Sequence, residues 1–391
     1  MVKRKQLEGC SVKYIFLLFI LVLVVFICMM NYYNKQAHIE MFSNLSTHKY
    51  YRCDSKRLGA ITKSIFDDFD ISKDNKEWNI YVPCGYNNVE NELLHIDLTQ
   101  TDNKDTKYVF GINGCDSIVS KNKIWESLVN CYGREKASTF MPESYVLHNK
   151  DDMKMFQNIF NPQHIYILKK NVQRKEGLKL TNNYDDIAKA WKENYRVVQR
   201  YLTDLYLINK RKVNLRVYLL VVVKMGVVSF YVSNLGKCIY TKKEYAHNDF
   251  DFESNITSYH LDMTVYEKNP RDFIELFGYV DDQENDNNAG EKLSRNILTL
   301  MSKISECLSK NIYQSSNIKN TISFQLFGAD VIFDKNLNTY LLELNKGPDM
   351  IPRDDEDKGM KKRVQEDMFR TIGVLPYNKG KNVFFEVYAS K

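Results

Sequence analysis

The chain has 391 residues, a net charge of +6, and 44% hydrophobic and 13% aromatic side chains, which is enough for an N-terminal segment plus two or three domains with a substantial core. Its basic residues are spread along the sequence instead of clustered, so no nucleic-acid partner is expected, while an acidic protein partner is compatible.

Tyr14–Met30 is an uninterrupted apolar run of a length that suits a single membrane span. Lys3, Arg4, Lys5 and Lys13 precede it and only Lys35 follows closely. This bias predicts a single-pass membrane protein with its N-terminus in the cytosol and its body on the far side. Residues 1–35 thus read as tail and anchor, 36–150 as an N-terminal domain and 151–391 as the main domain. Eight cysteines form no CxxC pair and the histidines show no zinc spacing, so free buried thiols are expected. Asn44-Leu45-Ser46 and Asn255-Ile256-Thr257 match the glycosylation pattern.

Lys121–Gly133 reads as a helix, with Ile124, Leu128 and Val129 at helical spacing and Gly133 at its end. Asp151–Phe160 reads as another, with Asp151 as N-cap. Ile165–Lys170, Arg196–Leu202 and Lys212–Lys224 read as strands. Asp281–Glu291 reads as a polar, mobile insertion, and Leu293, Ile297, Leu300, Ile304 and Leu308 mark an amphipathic helix after it. Lys361–Gly373 reads as a final helix. The elements do not alternate regularly and no repeat is present, so the fold class is α+β. GxGxxG and GxxxxGK[ST] are both absent, which excludes a Rossmann or P-loop route to a nucleotide.

Gly328–Met350 carries the strongest chemical signal. It reads as two strands, Ala329–Asp334 and Thr339–Asn345, joined by a four-residue loop. Pairing Asp334 with Thr339 would set Asp330 opposite Glu343, with Glu343 and Asn345 on one face. Opposed carboxylates in apolar strands repel and call for a cation, for which Mg²⁺ suits best. Upstream, Lys212, Asn214, Arg216 and Tyr218 share one strand face while Val213, Leu215, Val217 and Leu219 face a core. Two cations and an amide two residues apart suit a row of phosphate oxygens. Lys169 and Lys170 end an apolar strand, and a basic loop with Gly177 follows. Gln199, Arg200, Tyr201 and Leu202 close another strand, where a base could dock.

The blocks YILKKNVQRKEGL, VVQRYL, KVNLRVYLLV and FGADVIFDKNLNTYLLELNKGPDM resemble, in this order, those of the tubulin–tyrosine ligase-like proteins. GINGCDSIVSKNKIWESL and YGREKASTFMPESYVL are similar to the N-terminal region of that family, and the resemblance covers about residues 78–375. It implies an ATP-grasp fold, preceded here by a small α/β N-terminal domain and the transmembrane helix, with ATP and Mg²⁺ as cofactors. Carried over by position, Lys169 would contact the α- or β-phosphate, with Gly177 in the phosphate loop. Gln199, Arg200, Tyr201 and Leu202 would line the adenine pocket, and Lys212, with Asn214 beside it, would reach adenine or ribose. Arg216 would hold the γ-phosphate, and Asp330, Glu343 and Asn345 would hold Mg²⁺. Three departures stand out: Asn214 replaces an aspartate, Asn255-Ile256-Thr257-Ser258 replaces a His-Leu-Thr-Asn block, and a substrate-side arginine has no clear match within Ser233–Tyr240.

The activity this implies joins a free amino acid to a protein carboxylate, on tubulin or another acidic tail, through an acyl phosphate. Arg216 and Lys169 would stabilise phosphoryl charge. The alternative is a catalytically inactive, nucleotide-binding adaptor tethered to the membrane. A lumenal glycosyl-type transferase fits poorly, because Asp330 and Glu343 are spaced as a hairpin pair and not as DxD.

Overall fold

A computed structural model describes residues 48–53, 55–96, 106–172, 177–246, 250–258, 261–313, 320–378 and 382–390. The described residues form fourteen strands: β1 (Lys49–Tyr51), β2 (Ser72–Lys73), β3 (Ile80–Tyr81), β4 (Lys107–Phe110), β5 (Ser144–Val146), β6 (Tyr166–Lys169), β7 (Leu178–Thr181), β8 (Val197–Arg200), β9 (Leu207–Ile208), β10 (Arg211–Lys224), β11 (Val227–Tyr240), β12 (Thr321–Phe333), β13 (Thr339–Asn345) and β14 (Phe384–Ala389). Mixed helices and strands thus build an α/β protein around one large sheet and one small one. The large sheet runs β14-β11-β10-β12-β4-β3-β1-β2, with β13 also on β12 and β9 on β10; the small sheet runs β5-β8-β6-β7.

Strand alternation explains the layering. Val213, Leu215, Val217, Leu219, Val221 and Val223 point from β10 into a core under helices Lys121–Tyr132, Phe273–Glu284 and Ala289–Leu308. The opposite face changes character along the strand. Tyr218, Leu220 and Val222 meet helices Ala60–Asp68 and Asp355–Thr371, whereas Lys212 meets Tyr201 at the end of β8, Asn214 meets Thr257 and Arg216 meets Asp330. Those three polar residues are buried, so this is not a solvated strand face.

The free edge of β12 is divided. Thr321–Phe324 pair in parallel with β4, and Gly328–Phe333 pair antiparallel with β13. Gln325 closes the fork between them: it accepts from the Ile112 backbone at 3.2 Å and donates to the Lys346 carbonyl at 2.9 Å. A buried amide satisfied at both ends fixes where the two strands diverge.

Several expectations are corrected. Asp281–Glu291 is not a loop: helix Phe273–Glu284 runs through its first part and helix Ala289–Leu308 takes its last, because Val280 and Ala289 are buried while the acidic residues face out. The cap of helix Lys150–Ile159 is Asn149, which accepts from the backbones of Asp151 and Asp152. Helix Asp355–Thr371 starts six residues earlier than read, capped by Asp354. Four cysteines are paired, as Cys53–Cys84 and Cys131–Cys307, with Cα separations of 5.8 and 5.9 Å inside disulfide reach. Among the described residues only Cys115 and Cys238 are free, and burial pushes both thiols up. Asn255 is fully buried and accepts a bond from the Tyr201 hydroxyl, so that glycosylation site is closed in the folded chain; Asn44 lies outside the described residues. The membrane localisation is withdrawn: among the described residues no helix is long and apolar enough to cross a membrane. The run Tyr14–Met30 lies outside them.

Candidate functional site: a row of opposed charges between two sheets

The expected opposition of Asp330 and Glu343 is present, but it arises differently. Phe333, not Asp334, pairs with Thr339. Asp334 instead organises the turn, accepting from the backbones of Asn336 and Asn338 at 2.9 Å each, while Leu337 takes a left-handed φ of +67° with its side chain buried. The register would then be one residue out. A bulge at Leu342 restores it: Val331 pairs with Leu341, and Asp330 with Glu343. The extra residue also settles the faces. Leu341 and Leu344 both enter the core under the large sheet, while Glu343 and Asn345 turn to the other side. Freed by the bulge, the Leu342 carbonyl accepts from Lys169 Nζ at 3.3 Å.

The carboxylate pair is half of a longer row. Glu343 lies opposite Asp330, Asp330 opposite Arg216, and Arg216 opposite Lys237 on β11. Four charged side chains thus cross β13, β12, β10 and β11 at right angles to the strands. Arg216 Nε donates to Asp330 Oδ1 at 2.7 Å, and Lys121 Nζ stands 3.3 Å from Glu343 Oε2. Gly328 leaves room for the guanidinium: an added Cβ would come within 3.0 Å of Arg216 Cδ. Burial, followed by repulsion from Glu343, raises the Asp330 carboxyl above the usual aspartate range despite Arg216. Burial acts the same way on Glu343, but Lys121, Lys169 and Arg216 outweigh it and hold that carboxyl below its usual range.

The small sheet presents the facing wall. Ile167, Lys169, Gln199 and Tyr201 share the face turned toward β10, because Ile167 pairs with Gln199 in register. Lys169 is almost fully buried, and burial pushes its ammonium down to about 8. Lys212 donates to the Tyr201 hydroxyl at 3.0 Å; burial, and secondarily Lys169, push it down to about 7. Gln199 is held within the sheet by Pro142 and Ser144. Arg200 projects from the opposite face, exposed, beside His164. Leu202 is half-buried just past the end of β8. Gly177 returns the β6–β7 loop by accepting from the Lys170 backbone at 2.8 Å, in a space where a Cβ would meet Val172 at 2.5 Å. Residues 173–176 of that loop lie outside the described residues.

Two site residues escaped the sequence reading. Lys121 opens helix Lys121–Tyr132 and also donates to the Val172 carbonyl at 3.1 Å. A cation in the first turn opposes the helix dipole, which was the signal open to the sequence; that Lys121 is buried appears only in the structure. Lys237 was hidden by register. Between Val217 and Leu219, β11 carries extra residues, so strand pairing could not be counted from the β10–β11 turn.

The wall residues fit a nucleotide and a divalent cation. Asn214 Nδ2 donates to Thr257 Oγ1 at 2.9 Å, while its Oδ1 is buried without a hydrogen-bond partner, beside Lys212 and Arg216 on one face. An orphaned buried acceptor and two ammonium groups weakened by burial match a polyphosphate with hydroxyls attached. Opposed carboxylates match a hard cation.

The sequence pattern of the tubulin-tyrosine ligase family matches residues 99–382, which take in both walls and the charge row. The chain belongs to the tubulin-tyrosine ligase family. Among family relatives, a probable tubulin polyglutamylase of Caenorhabditis elegans is 26% identical over 46% of this chain and 42% of its own length. The tubulin monoglutamylase of Mus musculus is 22% identical over 67% of this chain and 23% of its own length. A tubulin glycylase of Drosophila melanogaster is 22% identical over 55% of this chain and 30% of its own length. The chain therefore spans less than half the length of these relatives, and they carry different amino acids in their names.

Proposed function

We propose that this chain is an ATP-dependent carboxylate–amine ligase of ATP-grasp architecture that adds an amino acid to a glutamate-rich protein tail such as that of tubulin. The observation that carries this reading is the row Glu343–Asp330–Arg216, with Lys212 on the same face of β10 as Arg216 and Lys169 reaching in from the small sheet. Glu343 and Asp330, with Asn345 beside them, would hold Mg²⁺, which when bound offsets phosphate charge. Lys121 pairs with Glu343 from the helix, and Lys169 reaches the neighbouring Leu342 carbonyl from the small sheet, so both would meet the phosphates as well. Asn214 Oδ1 and Thr257 would meet the ribose side. The apolar patch of Ile165, Ile167, Leu180, Tyr201 and Ile256 would receive the base, next to Gln199 and Leu202.

Chemistry here needs no covalent nucleophile on the protein. Arg216 would stabilise the phosphoryl group as it passes to the acceptor carboxylate, and the two sheets would exclude water from the acyl phosphate. The amine of the incoming amino acid then displaces phosphate and forms the amide. Glycylases and glutamylases both stand among the relatives, so the amino acid is to be found by assay.

The test is a radiolabelled amino-acid transfer assay on tubulin and on glutamate-rich peptides, run beside Mg-ATP binding. Wild-type protein should bind Mg-ATP and transfer one amino acid in preference. Binding without transfer to any acceptor would replace this reading by that of a nucleotide-binding adaptor.

A further inference from the structure

Buried tyrosines in this fold are matched with partners. Tyr108 donates to the Gly373 carbonyl at 3.2 Å, Tyr240 to the Pro270 carbonyl at 2.7 Å and Tyr201 to the Asn255 carbonyl at 3.0 Å. Tyr245 is the exception. Among the described residues its hydroxyl is the only tyrosine hydroxyl buried without a hydrogen-bond partner. A phenol taken out of water with nothing to bond is costly, and native chains seldom keep one that nothing arrives to satisfy.

The place of this hydroxyl points to what arrives. The Tyr245 ring packs on the apolar patch formed by Ile165, Ile167, Leu180, Tyr201 and Ile256. Its backbone N–H donates to the Lys210 carbonyl at 2.8 Å, which holds it at the start of β10. Tyr201, in the same patch, is committed elsewhere: it accepts from Lys212 at 3.0 Å and donates to Asn255. Burial pushes the Tyr245 hydroxyl up to about 12, so at neutral pH it keeps a proton to donate as well as a lone pair to accept. The second orphan of the cleft, Asn214 Oδ1, lies further along β10. The segment Asn255-Ile256-Thr257 spans the two, with Asn255 bonded to Tyr201, Ile256 in the patch and Thr257 bonded to Asn214. One unsatisfied group thus stands at the apolar end of the cleft and the other toward Arg216 and the charge row, in the order of a base, a sugar and its phosphates.

We propose that Tyr245 binds the base of the nucleotide, its hydroxyl forming a hydrogen bond with the polar edge of adenine while its ring packs in the patch beside Tyr201. The assignment rests on the ligase reading above. It gives the apolar patch the polar contact that a flat aromatic ligand needs in order to hold one orientation within it.

The test is Tyr245→Phe in the full chain. Thermal unfolding is measured without ligand, and calorimetry with Mg-ATP and with magnesium ribose 5′-triphosphate, which carries the sugar and phosphates without the base. The variant should melt no lower than wild type, because it removes an unsatisfied hydroxyl and keeps the ring. It should bind Mg-ATP about three- to tenfold more weakly, the scale of one hydrogen bond, and ribose 5′-triphosphate within about twofold of wild type. Mg-ATP affinity equal to wild type overturns the assignment. An equal loss of both ligands does so too, since the hydroxyl would then act away from the base. A lower melting temperature without ligand also overturns it, by making the hydroxyl a structural group. Wild-type protein that binds no Mg-ATP overturns the ligase reading itself.

Discussion

Asp330 and Glu343 face each other, yet neutralising them should affect the empty protein in opposite directions. The two carboxyl groups are close enough to share a hydrogen bond, and burial together with their mutual repulsion raises the Asp330 carboxyl. Glu343→Gln relieves that repulsion and the cost of burial but gives up Lys121 at 3.3 Å, about 5 kcal/mol at an effective dielectric of ~20, along with Lys169 and Arg216; the lowered Glu343 carboxyl shows that the losses outweigh the relief, for a net loss on the order of 2 kcal/mol. Asp330→Asn gives up the Arg216 pair at 2.7 Å, but burial and Glu343 together already outweigh Arg216, as the raised Asp330 carboxyl shows. That variant should be as stable as wild type or more so. The assay is thermal unfolding of both variants without ligand and with Mg-ATP. Glu343→Gln should melt a few degrees lower. Wild type at about 100 times its Kd for Mg-ATP should gain about 2.7 kcal/mol, and both variants should lose the magnesium-dependent part. Two variants that move together without ligand, or that keep the full Mg-ATP response, would refute the reasoning.

Lys169, pushed down to about 8 in the free protein, must regain its proton to meet a phosphate, so Mg-ATP affinity should fall as pH rises above about 8. Calorimetry in buffers of different ionisation enthalpy should find proton uptake there, and Lys169→Arg should abolish it. Lys212 sits at about 7 in the folded chain against 10.5 unfolded, so between those values the unfolded chain binds the extra proton. Its burial cost is then full below pH 7 and fades as pH rises to 10.5; Lys212→Met should raise the melting temperature at pH 6 and weaken nucleotide binding. Gly328→Ala should lower turnover more than Mg-ATP affinity, because its Cβ presses on Arg216 Cδ at 3.0 Å and on Pro348 at 3.1 Å; steady-state kinetics beside calorimetry would check this. Cys131 and Cys307 lie 176 residues apart, a loop whose closure is worth about 5 kcal/mol in the chain-entropy description; a Cys131→Ser, Cys307→Ser variant should unfold well below the oxidised protein.

Much of the site was legible because strand alternation is a strict code. Lys212, Asn214 and Arg216 follow a two-residue period with apolar partners between them, and the structure keeps that period. Helix Ala289–Leu308 was legible for the same reason at a period of 3.6. What failed depended on long-range geometry. The bulge at Leu342 cancels a one-residue error at the turn, so the right pairing was reached through the wrong register. Lys121, Lys237 and Asp357 join the row from elements distant in sequence, which no local pattern reports. The cysteine pairings lie 31 and 176 residues apart and were equally out of reach.

The contacts that join the two walls at the cleft are sparse: Lys169 to the Leu342 carbonyl and Lys212 to the Tyr201 hydroxyl are the hydrogen bonds described between them. Both run through amines that a bound polyphosphate would attract. Cargo and clasp therefore compete for the same hands. On the ligase reading, loading would replace these two ties with ties through the cargo, so grip would tighten only while something is held. On that same reading, discharge of the phosphate would return the lysines to the Leu342 carbonyl and the Tyr201 hydroxyl, so the side chains that capture the fuel would also time its release.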